Sequence, residues 1–143
     1  MPRPTQPIVL SARAIQDMPS ETFPESTPGG DVTWKTLLSS SRTPSNALTS
    51  GLARCPAKGG HLKCHRHCHP EIYYVVQGRG AVTIDGQERE VARSDVVFIP
   101  GDAEHGIRSL GGEEDLVWLY VFAADRFEDV VYRFSENAAK AKL

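Results

Sequence analysis

The chain has no long hydrophobic run, no excess of basic charge and few cysteines, and each of these absences argues against a class of protein. No apolar stretch in its 143 residues approaches the ~20 residues of a membrane-spanning helix. The formal net charge of −2 argues against a nucleic-acid partner. Three cysteines and a start without the apolar core of a signal peptide favour free thiols in a reducing compartment. The sequence therefore predicts a cytoplasmic protein without membrane or nucleic-acid partners.

Motifs for nucleotide binding and for serine nucleophiles are also missing. The chain contains no G-x-S-x-G, no P-loop and no G-x-G-x-x-G, and Gly78-Arg-Gly80 alone carries no weight. Paired Cys or Cys/His motifs of a structural zinc site are absent as well, because Cys64 and Cys68 flank one histidine cluster and only Cys55 remains elsewhere. These absences leave the histidines as the main chemical signal.

Short strand-like segments occupy most of the chain, and long helical patterns are missing. About ten such segments recur at spacings of roughly eight to twelve residues, and Asp85-Gly86 is a strong hairpin signal. This pattern predicts an all-β sandwich or barrel, and the strand count fits a double-sheet jelly roll. The predicted strands cover residues 32–38, 47–55, 61–67, 71–77, 81–84, 87–91, 95–99, 105–110, 116–122 and 130–134.

The length predicts one folded domain with two flanking segments. Prolines recur throughout residues 1–30 and prevent a long helix there, so we expect either a strap packed over the domain or a partly disordered segment. The β domain is predicted over 31–134 and a tail over 135–143. Within the strap we expect a short edge strand at 8–10 and a turn of helix at 11–18.

A histidine cluster marks the candidate site. His65 and His67 lie two residues apart, and Glu71 follows four residues later. Since residues i and i+2 of a strand share a face, the two imidazoles aim at one point, and Glu71 can close on that point from the next strand. His105 follows a buried strand and a turn and is the candidate fourth ligand. The set predicts one divalent transition metal (Fe, Mn, Ni, Zn, Co or Cu) with open coordination positions.

Strand parity extends the prediction to neighbouring side chains. It places Lys63 and His61 on the same face as His65, and Tyr73 on the same face as Glu71. Lys63 and Tyr73 are therefore the candidate catalytic residues. We expect His61 and His69 to lie at the surface or behind the ligands.

The histidine cluster resembles the first motif of the cupin superfamily. Gly59-x5-His65-x-His67-x3-Glu71-x6-Gly78 matches that motif at every defined position. The resemblance is to small single-domain metal-dependent cupins. It implies a cupin double-stranded β-helix, the jelly roll already indicated by the strand pattern, with these three side chains among the metal ligands.

The second cupin motif is met in part. Pro100 and His105 stand at the expected separation, and His105 is implied as the fourth ligand. Ser94 replaces the opening glycine, Gly101 is displaced, and Ser109 replaces the closing asparagine. These departures affect turn residues and leave the ligand in place.

A narrower resemblance points to one reaction. Pro70-Glu-Ile-Tyr73 and the stretch 121–127 are similar to small cupin lyases that cleave dimethylsulfoniopropionate to acrylate and dimethyl sulfide. In those enzymes the metal holds the substrate carboxylate, and a tyrosine two residues after the ligand glutamate removes the α-proton. Tyr73 is the matching residue here.

General chemistry is compatible with such a lyase and with three other functions. A metal-bound carboxylate has an acidified α-C–H, and a positioned base then drives β-elimination. A sulfonium leaving group favours an aromatic box, for which Trp34, Trp118 and Tyr120 are candidates. The same ligands would also serve an Fe-, Ni- or Cu-dependent dioxygenase, an isomerase or epimerase that uses Lys63 or Tyr73, or a non-catalytic small-molecule binder.

The predicted partners are a small-molecule substrate and a second copy of the chain. A jelly roll with strands that are apolar on both faces commonly covers one sheet with another subunit. We expect a homodimer in which the edge candidates 8–10 and 130–134 pair across a two-fold axis. The strand at 95–99 is almost wholly apolar, which predicts burial on both of its faces.

Overall fold

Two antiparallel sheets of five strands each form the protein, as the computed structural model shows for residues 4–135. In the first sheet the strand order is β1-β2-β9-β4-β7, and in the second it is β10-β3-β8-β5-β6. This interleaving of non-consecutive strands is that of a jelly roll, so the all-β prediction is confirmed. The strands are β1 Thr33–Leu38, β2 Thr49–Cys55, β3 His61–Arg66, β4 Glu71–Gln77, β5 Arg79–Ile84, β6 Gln87–Ala92, β7 Val96–Ile99, β8 His105–Ser109, β9 Leu116–Phe122 and β10 Arg133–Phe134.

The strands follow the predicted segments closely because alternation decides which side chains enter the core. Along β4, for example, Glu71, Tyr73 and Val75 are buried while their neighbours are exposed. The inner faces of the two sheets together bury a core of aliphatic and aromatic side chains, and each large one contributes about 1.5–3 kcal/mol on burial. The sheets thus enclose a dry interior in which polar side chains need specific partners.

A bulge in β3 breaks the predicted parity. The register of β3 against β8 shifts between Leu62 and His65, so His65 points inward while Lys63 and His61 are exposed on the outer face. A Cβ on Gly106, in β8, would lie 2.9 Å from the backbone of Leu62 and Cys64. The bulge inserts one extra residue into β3, and the close approach requires a glycine at position 106. Because of the extra residue, the side chains of β3 that precede the bulge point to the opposite face from the one that parity predicts. The expectation that Lys63 and His61 share the face of His65 is wrong.

The strand β7 is buried on one face only in a single chain. Val97 and Ile99 are buried, whereas Val96 and Phe98 are 66% and 64% exposed. β7 is an edge strand of the first sheet, packed beside β4. The prediction of burial on both faces is therefore wrong for one chain taken alone.

The N-terminal strap crosses from one sheet to the other. Glu21 forms an isolated bridge with Trp34 of β1, and Gly30 forms one with Leu62 of β3. Between them, the ring of Phe23 packs 4.8 Å from that of Trp34 and 5.2 Å from that of Phe134. The strap thereby covers one end of the interior.

Two local predictions for the strap have opposite outcomes. A short helix, α1 (Ala12–Asp17), forms where a helical turn was expected, and the Ser11 hydroxyl caps it by accepting a hydrogen bond from the Ala14 amide. The edge strand at 8–10 does not form, and Val9 there is 94% exposed. The predicted pairing of two copies through residues 8–10 therefore lacks the strand that it requires.

The C-terminal part adds a 3₁₀ turn, Phe127–Asp129, and the short strand β10, which pairs with β3. The predicted tail at 135–143 lies outside the described residues except for Ser135. No helix among residues 4–135 is long and apolar enough to cross a membrane.

Candidate metal centre

The four predicted ligand side chains converge at one end of the interior. His65 comes from β3, His67 from the turn after it, and Glu71 and His105 are the first residues of β4 and β8. One ligand atom from each lies within 4.8 Å of all the others, and all four residues are buried. Two strands that are far apart in sequence thus bring His105 to the H-x-H motif, because β8 pairs directly with β3.

Backbone carbonyls hold each imidazole in one tautomer. The Nδ1 atoms of the three ligand histidines lie 2.7–2.9 Å from carbonyl oxygens, those of Lys63, His69 and Ala103 in chain order. A carbonyl oxygen only accepts hydrogen bonds, so each Nδ1 carries the proton and donates it. Each Nε2 is then left with a lone pair directed into the centre, as in metal-ligating histidines.

The resulting donor set fits a cation and fits poorly without one. The Nε2 atoms of His67 and His105 lie 3.1 and 2.9 Å from Oε1 of Glu71. The Nε2 atom of His65 is buried without a hydrogen-bond partner among the described residues. Because these Nε2 atoms carry no proton, their lone pairs face the negatively charged carboxylate of Glu71. The nitrogen and oxygen atoms therefore repel each other unless a positive charge lies between them.

A divalent transition metal satisfies all four groups at once. Three neutral imidazoles and one carboxylate suit Fe, Mn, Co, Ni, Cu or Zn, whereas Ca²⁺ and Mg²⁺ prefer oxygen ligands. Burial, reinforced by the neighbouring His105, lowers the pKa of His65 to about 3. His65 is therefore neutral at physiological pH and needs no deprotonation to serve as a ligand.

A narrow aromatic cavity lies beside this centre. Its volume of about 20 Å³ accommodates one water molecule, so a larger ligand requires part of the wall to move. The predicted base and all three predicted substrate-binding residues line it together with Glu71. The lining side chains that the argument uses are Trp34, Glu71, Tyr73, Trp118, Tyr120 and Tyr132.

Tyr73 occupies the position that strand parity indicates. Its ring lies 5.4 Å from that of Trp118 and 6.4 Å from that of His105, and the side chain is almost completely buried. Burial raises the pKa of Tyr73 well above its usual value of 10, and the nearby Glu71 carboxylate adds to this effect. A phenolate here therefore depends on positive charge at the ligand group.

Two buried polar groups in the cavity wall have no partner. The indole nitrogen Nε1 of Trp34 and the hydroxyl of Tyr120 make no hydrogen bond to any of residues 4–135. Buried donors without partners are costly, and a ligand or ordered water that reached them would remove that cost. Tyr120 also depends on Gly51, since a Cβ at that position would overlap the phenol ring.

Tyr132 is a cavity residue that sequence reasoning missed. Its ring stacks on that of His65 at 4.6 Å with an interplanar angle of 26°, and it meets His67 edge-on at 5.3 Å. Burial raises the pKa of Tyr132 well above 10. The alternation of Tyr132 with Phe134 was the available signal, because both rings point inward from the segment before and within β10.

Lys63 is not brought to the site. The bulge in β3 places its side chain on the exposed outer face, and only its carbonyl oxygen takes part, by accepting the hydrogen bond from His65. The prediction of Lys63 as a catalytic residue is therefore wrong. His69 likewise contributes its carbonyl, and His61 is exposed beside Asp31.

Comparisons with known proteins agree with this architecture. Residues 54–122 match the family described as cupin domain. Over 109 residues the chain is 39% identical to dimethylsulfoniopropionate lyase DddW of Ruegeria pomeroyi, covering 76% of this chain and 70% of that protein. The chain belongs to the cupin superfamily.

Solved structures show the same fold. A cupin-2 domain protein of Rhodospirillum rubrum superposes with a TM-score of 0.67 at 25% identity, covering 99% of this chain and 88% of that one. The polyketide cyclase RemF from Streptomyces resistomycificus gives a TM-score of 0.70 at 19% identity, covering 94% and 87% of the two chains. The cyclase shows a common fold and nothing about the reaction of this chain.

Proposed function

We propose that this cupin is a metal-dependent lyase that cleaves dimethylsulfoniopropionate to acrylate and dimethyl sulfide. The observation that carries the proposal is a buried three-histidine, one-glutamate group that opens onto a cavity lined by Tyr73 and aromatic rings. The similarity to DddW supports the choice of substrate.

The ligand group would bind the substrate at its carboxylate end. A divalent metal held by His65, His67, Glu71 and His105 supplies a Lewis acid that polarises a carboxylate and acidifies the adjacent C–H. The three carbonyl acceptors behind the histidines keep the imidazoles in place during turnover. A carboxylate held there would lie close to the inner face of β4, which begins with Glu71.

Tyr73 is the base in this proposal. Its phenolate oxygen takes the α-proton, the C–H electron pair forms the new C=C bond, and the C–S bond breaks. Dimethyl sulfide leaves with the electrons of that bond, and acrylate remains. The base lies two residues after Glu71 on the same strand face, so strand geometry sets its position relative to the candidate ligand group.

The aromatic wall suits the sulfonium end of the substrate. Trp34, Trp118 and Tyr120 line the same cavity as Tyr73 and present their rings in a dry environment. Cation–π contacts contribute about 0.5–2 kcal/mol each in such surroundings. Entry of the substrate requires movement of Phe23 or Tyr132, which reach the cavity from the strap and the C-terminal segment.

The decisive experiment is an anaerobic assay of the metal-loaded protein with dimethylsulfoniopropionate. We expect about one transition metal per chain by elemental analysis and release of dimethyl sulfide by headspace chromatography. His105→Ala should lose both metal and turnover while keeping its circular dichroism spectrum. His61→Ala, which removes an exposed imidazole on the outer face, is the matched control and should keep both.

Each alternative function gives a different result in this assay. A dioxygenase would consume O₂ with a small substrate and release no dimethyl sulfide under argon. An isomerase or a non-catalytic binder would hold metal without eliminating dimethyl sulfide. Absence of dimethyl sulfide from a metal-loaded, folded protein would refute the lyase.

A further inference from the structure

Two aromatic side chains close the cavity towards solvent, and they differ in how their backbone is held. Phe23 reaches the cavity from the strap, and Tyr132 reaches it from the segment before β10. Their ring centroids lie 5.4 Å apart, and both side chains are partly exposed. The closed cavity of about 20 Å³ accommodates one water molecule, so at least one of these rings must withdraw before a larger ligand enters.

The backbone around Tyr132 is fixed on both sides. Directly after it, β10 pairs with β3, and the amide of Ser135 then donates a hydrogen bond to the carbonyl of Cys64. Two residues before it, the amide of Val130 donates to the carbonyl of Phe127 in the 3₁₀ turn. Withdrawal of Tyr132 would therefore break part of the second sheet.

The strap around Phe23 is held at two anchors, of which the first is Glu21. The backbone of Glu21 exchanges two hydrogen bonds with that of Trp34, of 2.7 and 3.1 Å. Its carboxylate accepts further hydrogen bonds from the Thr36 amide at 2.7 Å and from the Arg42 guanidinium at 2.9 Å. These contacts fix the chain to β1 two residues before Phe23.

The second anchor is the pair Gly29-Gly30. The carbonyl of Gly29 accepts a hydrogen bond from the Lys63 amide at 2.7 Å, and Gly30 forms a bridge with Leu62. Gly30 has a φ of +111°, and a Cβ at this position would overlap the carbonyl of His61, so the contact requires glycine. The strap is thereby fixed to β3 through its backbone.

The segment between the anchors, residues 22–28, makes no hydrogen bond to any other part of residues 4–135. Its one backbone hydrogen bond is internal and joins the Thr27 amide to the Pro24 carbonyl. The ring of Phe23 inserts among the aromatic side chains of the interior, 4.8 Å from Trp34 and 5.2 Å from Phe134. A short loop with fixed ends and few bonds of its own is typical of segments that open locally.

We propose that residues 22–28 are a lid over the candidate site and that the ring of Phe23 is its plug. The ring withdraws for ligand entry while both anchors stay bound, and it then returns to complete the aromatic wall over the ligand. Gly29 forms the seat of the plug, because a Cβ there would lie 2.6 Å from the Phe23 ring. The inference concerns access to the site of the proposed lyase, and it stands whichever reaction occurs there.

The two tryptophans of the chain allow a test without metal or substrate. Trp34 and Trp118 are both buried, and both line the cavity, so the intrinsic fluorescence of the protein reports on the cavity wall. Acrylamide, a small neutral quencher, reaches these rings when the lid opens. We expect acrylamide to quench the folded wild type weakly and the urea-unfolded chain strongly.

Two variants open the lid in different ways. Phe23→Ala deletes the plug, whereas Gly29→Ala keeps the plug and crowds its seat. Each should raise the acrylamide quenching constant at least about threefold over that of wild type, because each exposes the cavity to solvent. Thr22→Ala is the matched control, since it shortens an exposed side chain of the same lid and should leave the constant unchanged. Circular dichroism and urea midpoints check that each variant is folded.

Hydrogen exchange of wild type supplies a measurement that needs no variant. The amides of Glu25 and Ser26, which have no hydrogen-bond acceptor among residues 4–135, should exchange almost as fast as in an unstructured peptide. The bonded amides of Glu21, Trp34 and Ser135 should exchange slowly, because the anchors and β10 stay in place.

The contrary results are equally specific. Quenching that is unchanged in either folded lid variant, quenching that rises as much in Thr22→Ala, or slow exchange at residues 25 and 26 would each overturn the proposal. Gly29→Ala decides the outcome if Phe23→Ala does not fold. None of these measurements uses dimethylsulfoniopropionate, so failure of the lid and failure of the proposed lyase are distinguishable.

Discussion

The two faces of β4 place adjacent residues of similar chemistry in opposite environments. Tyr73 is buried beside the ligand group with its pKa raised, whereas Tyr74, the next residue, has a 42% exposed side chain on the outer face. The same alternation separates the candidate ligand Glu71 from Ile72 and the core residue Val75 from Val76. One strand thus carries the candidate chemistry on one face and exposed apolar side chains on the other. The difference shows that the strand face on which a side chain lies, more than its residue type, decides whether it is buried beside the candidate site or exposed.

The largest expected effect comes from removing the hydroxyl of Tyr73, on the inner face. Tyr73→Phe should lower turnover of dimethylsulfoniopropionate by about 10²–10⁴, the range for loss of a positioned general base, while metal content is unchanged. Tyr74→Phe removes the corresponding hydroxyl group of the neighbouring tyrosine, on the outer face, and should leave turnover unchanged. Steady-state kinetics and elemental analysis of both variants make the test.

Equal turnover losses in the two tyrosine variants would break the comparison between the faces. Loss of metal from Tyr73→Phe would instead assign Tyr73 a role in holding the ligand group together. Either result would remove Tyr73 as the base.

A smaller effect is expected in the free energy of unfolding. Val75→Ala deletes buried methyl groups from the core and should cost about 2 kcal/mol, through lost transfer free energy and a residual cavity. Val76→Ala, at a half-exposed position one residue later, should cost about 0.5 kcal/mol or less. Urea unfolding at matched low concentration measures both, and similar losses would contradict the burial of the inner face.

The last expected effect is a pH dependence of stability that arises from buried neutral groups. Burial raises the pKa of Cys55 to about 12, whereas an unfolded thiol titrates near 8.5. Above pH ~8.5 the unfolded chain therefore loses a proton that the folded chain keeps, and the free energy of unfolding falls by about 1.4 kcal/mol per pH unit. This contribution is complete below the unfolded pKa and is lost as pH rises towards 12.

Urea unfolding at pH 8 and pH 10 checks this sign. Burial also raises the pKa of Tyr120 above its usual value, which adds to the same trend at higher pH. Cys55→Ala should flatten the slope between these two pH values, whereas Cys68→Ala, at an exposed thiol, should not. An unchanged slope in Cys55→Ala would show that this thiol is not the titrating group.

Local sequence patterns predicted the centre well because they depend on short-range geometry. The two-residue period of a strand aims His65 and His67 at one point, and the following strand begins with Glu71. The Pro-Gly turn before β8 indicated His105, and the pairing of β8 with β3 confirmed its place beside His65. Apart from that pairing, these relations hold within a few residues of each motif.

The failures share a different cause, which is contact between distant segments. Lys63 points outward because β3 forms a bulge opposite Gly106 of the distant strand β8. Strand parity within β3 alone cannot predict that bulge. Tyr132 reached the centre because β10 pairs with β3 from the far end of the chain. The exposure of Phe98 followed from the position of β7 at a sheet edge, which composition does not reveal.

The sequence by itself determined the fold class, the four candidate ligand residues and the identity of the rings available to a cavity. It did so because alternation, turn residues and motif spacing act through the local backbone. Only the tertiary structure decided which ring stacks on which ligand, which lysine is excluded and which apolar face stays open. Those outcomes depend on strand order and register, and a shift of one residue in register exchanges the inside of a strand with its outside.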